Sequence, residues 1–566
     1  MYDTLQAPPS RMRAFLEGQQ NQKGAKAPLT RFTIAAILVF CAFFLIGFRL
    51  LWVMVLSQPR SSSPVAPSVS LIKRSDIIDR NGSILATNLI TFSLFANPKY
   101  ITEPRLISRK LAQIFPDISE KVIYQKLTSS SPFVWIKRNL TPKQKLAVQY
   151  LGQAGLDFQK EQKRIYPHQT LMAHVVGYTN VDNQGLSGIE RQFESSLKTG
   201  GKPIQLSIDL RVQHILHEAL VTGLEKYRAK KASGIVLDVN TSEILAMVSL
   251  PDFDPHRPKA SEAIFNTNTL GVYEMGSLFK IFTFAMGLDY RTVSLQDGFD
   301  TSRPLYIGKF KVKDFHAKNR WLSVPEIFMY SSNIGTVKIA LKVGAKRQKE
   351  FFEKIGFLKP LKIELGENGI PMAPREWKDI NVATISYGYG LAISPIHLVN
   401  GIATLVNGGV LRQPTLLKKT GPDSYTRVIS AATSEKMRRL MHLVVKNGSG
   451  HRGNAAGYMV GGKTGSANKK VEGGAGYVAK GKHRSSFVGA FPINNPKYLV
   501  FIMLDEPQNS RETGVSTGGA VAAPIAKEVI EKAAPLLDVL PVDESAPAIQ
   551  AALKIQGFRG GERALQ

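Results

Sequence analysis

Of the 566 residues only one is a cysteine, Cys41, so no disulfide within the chain can hold the fold and no redox compartment is required for it. Histidine is also scarce, at ten residues. Where two lie close, His214 and His217, no convergent carboxylate or cysteine set joins them, so packing or surface roles outweigh metal ligation. No metal and no cofactor is expected. Acidic residues are the third shortage: 44 Asp and Glu face 73 Lys and Arg, a net charge of +29. Such an excess points to nucleic acid, anionic lipid or an anionic polymer as partner. No nucleic-acid-binding signature occurs in the sequence, so nucleic acid drops out.

Apolar residues are plentiful, at 43% of the chain, and the length implies about three or four structural units. Residues 1–31 are polar, with Arg11, Arg13, Lys23, Lys26 and Arg31 against Asp3 and Glu17. Phe32 to Phe48 then runs without a charge, and after Arg49 a second apolar stretch reaches Leu56. The whole of 32–56 reads as one transmembrane helix, Arg49 snorkelling to the far interface. A cleavable signal peptide fits less well, because the apolar region is too long and no small-x-small site precedes Ser57. The basic flank places the N-terminus in the cytoplasm and everything after Ser57 outside.

Gln58 to Ser70 has the Pro/Ser composition of a linker. From Leu71 to about Arg228 short strands alternate with helices. Asp79-Arg-Asn-Gly82 is a turn between the apolar pieces Ile77-Ile78 and Ile84-Leu85, and Leu106–Phe115, Ile118–Leu127 and Pro142–Leu151 have helical spacing. Arg211, His214 and His217 fall on a helix leading into a second domain. That domain, 229–537, opens with two apolar strands around a polar turn between Ala232 and Val248. It continues through helices, including Val324–Phe328. Strands return at Gly462–Ala467, Ser485–Phe491 and Lys497–Asp505, with Asn494-Asn-Pro496 as a turn, and a helix from Val521 to about Leu537 closes it. Strands at both ends with helices between predict an α+β domain, an antiparallel sheet covered by helices. The tail 538–566 looks weakly structured, with a short helix near Ala548–Ile555.

Chemistry concentrates at one helix start, Glu274-Met-Gly-Ser-Leu-Phe-Lys280. Positions three apart share a helix face, which makes the Ser277 hydroxyl and the Lys280 amine neighbours. A serine needs a base to become a nucleophile. Lys280 can serve if burial among Leu278, Phe279, Ile281 and Phe282 lowers its pKa, and the positive end of a helix pushes the same way. Ser-x-x-Lys alone is a loose pattern. Two further stretches strengthen it: Ser331-Ser-Asn333, a hydroxyl and an amide two positions apart in a polar break, and Lys463-Thr-Gly-Ser466, a strand whose glycines admit a substrate backbone.

Ser-x-x-Lys, Ser-x-Asn and Lys-Thr-Gly in this order resemble the β-lactamase and penicillin-binding protein superfamily. Arg74-Ser-Asp-Ile-Ile-Asp-Arg-Asn-Gly82, Gly185-Leu-Ser-Gly-Ile-Glu-Arg-Gln-Phe193, Tyr387-Gly-Tyr-Gly390 and Ser485-Ser-Phe-Val-Gly489 resemble the class B penicillin-binding proteins, over about Arg74 to Ala534. Phe487-Val-Gly-Ala-Phe491 and Leu504-Asp-Glu-Pro-Gln508 look most like the division-specific, septal branch.

The resemblance implies a D,D-transpeptidase that cross-links peptidoglycan stem peptides ending in D-Ala-D-Ala and is acylated by β-lactams. It is anchored in the bacterial inner membrane, with 57–228 as linker and non-catalytic, dimerisation-like pedestal and the catalytic domain periplasmic. Membrane-embedded glycosyltransferase and other divisome proteins are the implied partners. Ser277 would be the nucleophile, Lys280 its base, Ser331 the proton relay to the leaving amine, and Asn333 the group that orients Lys280 and the substrate amide. Lys463, Thr464 and Ser466, with Gly465 between them, would bind the terminal carboxylate, and the backbone N–H groups of Ser277 and Ser466 would form the oxyanion hole.

Alternatives remain at this level. Ser331 could cap a helix starting near Asn333, Lys463 could be a solvated strand charge, and Tyr387–Gly390 reads as a glycine turn outside the site. Ser332 stands where many β-lactamases have aspartate, and Ser466 where threonine is frequent. A β-lactamase is disfavoured because no Glu-x-x-Leu-Asn segment lies between Asn333 and Lys463. An elongation-type transpeptidase and a D,D-carboxypeptidase share all three motifs. A penicillin-binding sensor or divisome scaffold would have no need of both Ser277 and Lys280.

Overall fold

Five strands whose residues are apolar on both faces can be stable only as the middle layer of a sandwich. The computed structural model, which describes residues 27–52, 74–258, 262–421, 423–469, 482–555 and 558, builds that layer. The strands run in the order Gly461–Asn468, His483–Phe491, Tyr498–Asp505, Lys231–Asp238 and Ile244–Leu250, every neighbour antiparallel. Strand alternation assigns the faces. Along Tyr498–Asp505, Leu499, Phe501 and Met503 enter one core, and Val500, Ile502 and Leu504 enter the other. The first core is filled by the helices between the strand groups, including Lys280–Asp289 and Ala431–Asn447. The second is covered by Leu210–Lys226 and Gly518–Ala533.

This packing moves one boundary drawn from sequence. The helix carrying His214 and His217 was assigned to the pedestal by the 57–228 limit. Its Val212, Leu216, Ala219 and Leu220 are buried in the second core, so the border lies before Leu210. His217 Nε2 lies 2.9 Å from Asp252 Oδ2, a local ion pair that raises the imidazole pKa. The C-terminal tail is also more ordered than its composition suggests. Val539 and Ile555 are buried, Lys446 pairs with Glu544 at 2.9 Å, and Pro547–Leu553 is helical.

The pedestal centres on the long strand Ile84–Ala96, paired with Val134–Leu140 and Leu156–Ile165, while Ile77–Ile78 joins it to Ile204–Gln205. Helices Pro104–Ile114, Glu120–Leu127 and Pro142–Gln149 form where helical spacing predicts them. Two sequence motifs become a joint here. The fully buried Glu190 accepts from Arg74 Nε at 2.8 Å and from Arg164 Nε at 2.6 Å, so two guanidiniums share one carboxylate. The Asp79 turn reaches the start of the Leu210 helix, whose N–H donates to Asp79 Oδ2 at 3.2 Å.

The N-terminal unit holds a helix, Ala27–Leu51, whose Phe32–Leu51 stretch has mean hydropathy 2.6 and exposes its apolar side chains. At about 1.5 Å per residue, 20 residues span about 30 Å, the thickness of a bilayer's hydrocarbon core. The end of the predicted span at Leu56, the linker Gln58–Ser70 and the basic residues of 1–26 lie outside the described residues.

Candidate active site

Ser277 lies in a 3-10 turn, Gly276–Phe279, that runs directly into the helix Lys280–Asp289. The turn is held from two sides by glycines. A Cβ on Gly465 would stand 2.9 Å from Leu278 Cγ and 3.1 Å from the Met275 carbonyl, so only a bare strand lets the Ser277 turn dock this closely. Gly388, at φ +95°, accepts from Gly276 N–H at 3.2 Å, and a Cβ there would meet the Gly276 oxygen at 2.0 Å. Tyr387–Gly390, left outside the site on sequence grounds, is therefore part of its frame. Glu274 adds to that frame by accepting from Gly390 N–H at 2.7 Å.

Lys280 is fully buried on the helix face that points at Ser331. Its Nζ donates to Ser331 Oγ at 3.0 Å and also to the Ser331 carbonyl. Lys463 is fully buried as well, and its Nζ donates to the same Ser331 Oγ at 3.0 Å and to the Thr464 carbonyl at 3.2 Å. Two amines thus meet on one hydroxyl. Burial pushes the Lys280 pKa well below the usual lysine value, and the Lys463 charge pushes the same way against a small opposing pull from Asp314. Burial also lowers Lys463, to about 7. Lys463 is therefore not the solvated strand charge that sequence left open.

Ser331 is not a helix cap. The helix Asn333–Val343 is capped by Ser332, whose Oγ accepts from Gly335 N–H at 3.1 Å. Ser331 has φ +58°, a left-handed conformation that a non-glycine residue adopts at some energetic cost. The strained turn aims its hydroxyl at the two lysines. Asp314 secures that turn by accepting from Ser332 Oγ at 2.7 Å and from Ile334 N–H at 2.9 Å. Nothing in the sequence around Asp314 signals this role, because the contact spans a loop of unrelated pattern.

Asn333 differs from expectation. Its side-chain amide donates to the Lys313 carbonyl at 2.8 Å, and among the described residues no hydrogen bond joins it to Lys280. Asn333 is the first residue of its helix, and the side-chain bond to Lys280 comes from Ser331 instead. Thr464 Oγ1 and Ser449 Oγ lie 2.8 Å apart, a partner that only its glycine neighbours, Gly448 and Gly450, hinted at. Ser466 is exposed on the strand and accepts from Gly518 N–H at 3.2 Å, leaving its proton available to a ligand. A cleft of about 670 Å³ between the Ala431–Asn447 helix and the tail contains none of these side chains.

Residues 232–531 match the penicillin-binding protein transpeptidase domain. The chain belongs to the penicillin-binding protein transpeptidases. Residues 71–207 match the penicillin-binding protein dimerisation domain, the two-domain arrangement of class B. The chain is 36% identical over 90% of its length, and 89% of the relative's, to the probable peptidoglycan D,D-transpeptidase FtsI of Caulobacter vibrioides. It is 28% identical over 80% of its length, and 82% of the relative's, to the peptidoglycan D,D-transpeptidase FtsI of Escherichia coli. A crystal structure of penicillin-binding protein 3 from Mycobacterium tuberculosis, complexed with aztreonam, shares the fold with a TM-score of 0.66 at 21% identity, over 83% of this chain and 97% of that one. The α+β architecture expected of a class B penicillin-binding protein is present, with one apolar helix preceding the pedestal and the transpeptidase domain.

Proposed function

We propose that this penicillin-binding protein is the D,D-transpeptidase that cross-links peptidoglycan stem peptides at the division septum. The observation that carries the reading is the convergence of Lys280 and Lys463 on Ser331 Oγ beside the Ser277 turn. Neutral Lys280 takes the proton of Ser277 as its oxygen attacks the carbonyl of the penultimate D-alanine. Ser331 Oγ accepts from both amines, so its own hydrogen is directed to the cleft, where it passes to the leaving nitrogen and is replaced from Lys280. The C–N bond breaks, D-alanine departs with that proton, and an ester on Ser277 remains. An acceptor amine attacks the ester, its proton returns along the same path, and Ser277 is released.

The backbone N–H groups of Ser277 and Ser466 flank the reacting carbonyl as oxyanion donors. Lys463, Thr464 and Ser466 hold the terminal carboxylate. The Phe32–Leu51 helix anchors the protein in the inner membrane with its basic N-terminus in the cytoplasm and the catalytic domain in the periplasm. There it works with a separate membrane-embedded glycosyltransferase and other divisome proteins, a setting that the relatives named FtsI support. Labelled penicillin forms a covalent adduct that is absent from folded Ser277→Ala protein. Undiminished labelling of that variant overturns the assignment.

A further inference from the structure

Between Arg303 and Trp321 the chain places four large aromatic side chains in solvent: Tyr306 is 60% exposed, Phe310 40%, Phe315 83% and Trp321 53%. Beyond residue 228 the other exposed large aromatics among the described residues are Phe265 and Tyr425, so the clustering is local. The same segment carries Arg303, Lys309, Lys311, Lys313, Lys318 and Arg320 against the single acid Asp314. An exposed apolar patch rimmed by one sign of charge marks an interaction surface. Its rings are not left over from a loose loop. The hairpin Leu305–Ile307 with Phe310–Val312 is pinned by Val312, which is buried with Ile334, Val337 and Ala383 under the helix that follows Ser331. Lys313 and Asp314 hold Asn333, Ser332 and Ile334 through the bonds already described. The segment is thus a lip tied to the turn that carries Ser331.

We infer that this lip is a platform for the glycan strand of the polymer whose stem peptide reaches Ser277. This rests on the transpeptidase reading and adds a second recognition surface to it. Sugar rings present flat C–H faces that suit the negative faces of aromatic rings. Stem peptides carry carboxylates that suit the lysines interleaved with those rings, Lys311 lying 5.4 Å from the Tyr306 ring centroid. Anionic lipid has a similar charge, but a bilayer seated here would cover the cleft next to Ser331.

The test uses the full-length protein in detergent and soluble, uncross-linked, fluorescently labelled peptidoglycan strands bearing pentapeptide stems. Binding is read by anisotropy in a Ser277→Ala background, where no turnover occurs. Combined Phe310→Ala and Phe315→Ala substitutions remove two exposed rings and weaken strand binding about tenfold. In the Ser277 protein the same pair raises KM for strands while kcat and the penicillin acylation rate hold. Unchanged strand affinity overturns the platform. So does a parallel fall in penicillin acylation, which makes the lip a support for the Ser331 turn, and so does weaker binding to phosphatidylglycerol vesicles with strand affinity intact. Failure of the wild-type protein to form a penicillin adduct instead overturns the transpeptidase reading, whatever the strand affinity.

Discussion

If Lys463 binds the substrate carboxylate as a cation, raising the pH past neutrality should weaken acylation. Burial holds its pKa at about 7 in the free protein. At pH 9 only about one molecule in a hundred then carries the charge, a group two units past its pKa. A neutral amine can still donate a hydrogen bond. The loss is therefore the difference between a charge-assisted and a neutral bond, about 1 to 2 kcal/mol, or about tenfold in acylation efficiency. The measurement is the second-order acylation rate from pH 5 to 9 with a penicillin and with a matched lactam lacking the carboxylate. The alkaline fall near pH 7 belongs to the penicillin alone. On the acid side both ligands slow together as Lys280, its pKa depressed by burial, takes a proton and ceases to be a base. The titration of Lys463 does not itself unfold the protein on the alkaline side. Lys463 has a folded pKa below its unfolded 10.5, so at this group the folded state gains stability as pH rises from about 7. A flat alkaline limb, or an equal fall for both ligands, refutes the assignment of the carboxylate to Lys463.

Replacing Lys280 with Arg keeps a cation that cannot be deprotonated near neutral pH, so acylation by labelled penicillin collapses; a near-normal rate places the base elsewhere. Gly388→Ala puts a methyl into the Gly276 carbonyl and an L side chain at positive φ, a strain of about 1 to 2 kcal/mol or more, and displaces the Ser277 turn. Its acylation rate drops much more than that of an Ala substitution at exposed Gly82, measured in parallel. Glu190→Ala leaves the buried Arg164 guanidinium without its carboxylate, while Arg74 keeps Glu194 at 2.9 Å. A loss of about 3 to 5 kcal/mol shows as a lowered thermal midpoint, and an unchanged midpoint means the joint is held by packing instead.

The sequence by itself determined the elements and the reaction class. Period-2 and period-3.6 patterning is local, so the strands Lys231–Asp238 and Tyr498–Asp505 and the helix Val324–Met329 lie within a few residues of where the pattern puts them. The uninterrupted apolar run starting at Phe32 becomes a helix long enough to cross a bilayer for the same reason. Ser277 and Lys280 are three positions apart, so their place on adjoining helical turns needed no tertiary information. Tertiary structure decided everything that depends on which distant segments touch. Ser331 receives both lysines only because the strand carrying Lys463 lies beside the helix carrying Lys280, across 183 positions of chain (463 − 280). Ser332 took the cap and Ser331 the strained left-handed turn, a choice set by Asp314 from another loop. Asn333 faced Lys313 instead of Lys280 for the same reason. The Leu210–Lys226 helix went to the catalytic domain because its apolar stripe found a sheet face to cover. The pKa of a lysine follows suit: the amine is written in the sequence, but its burial, and hence its fitness as a base, is a property of the packed chain.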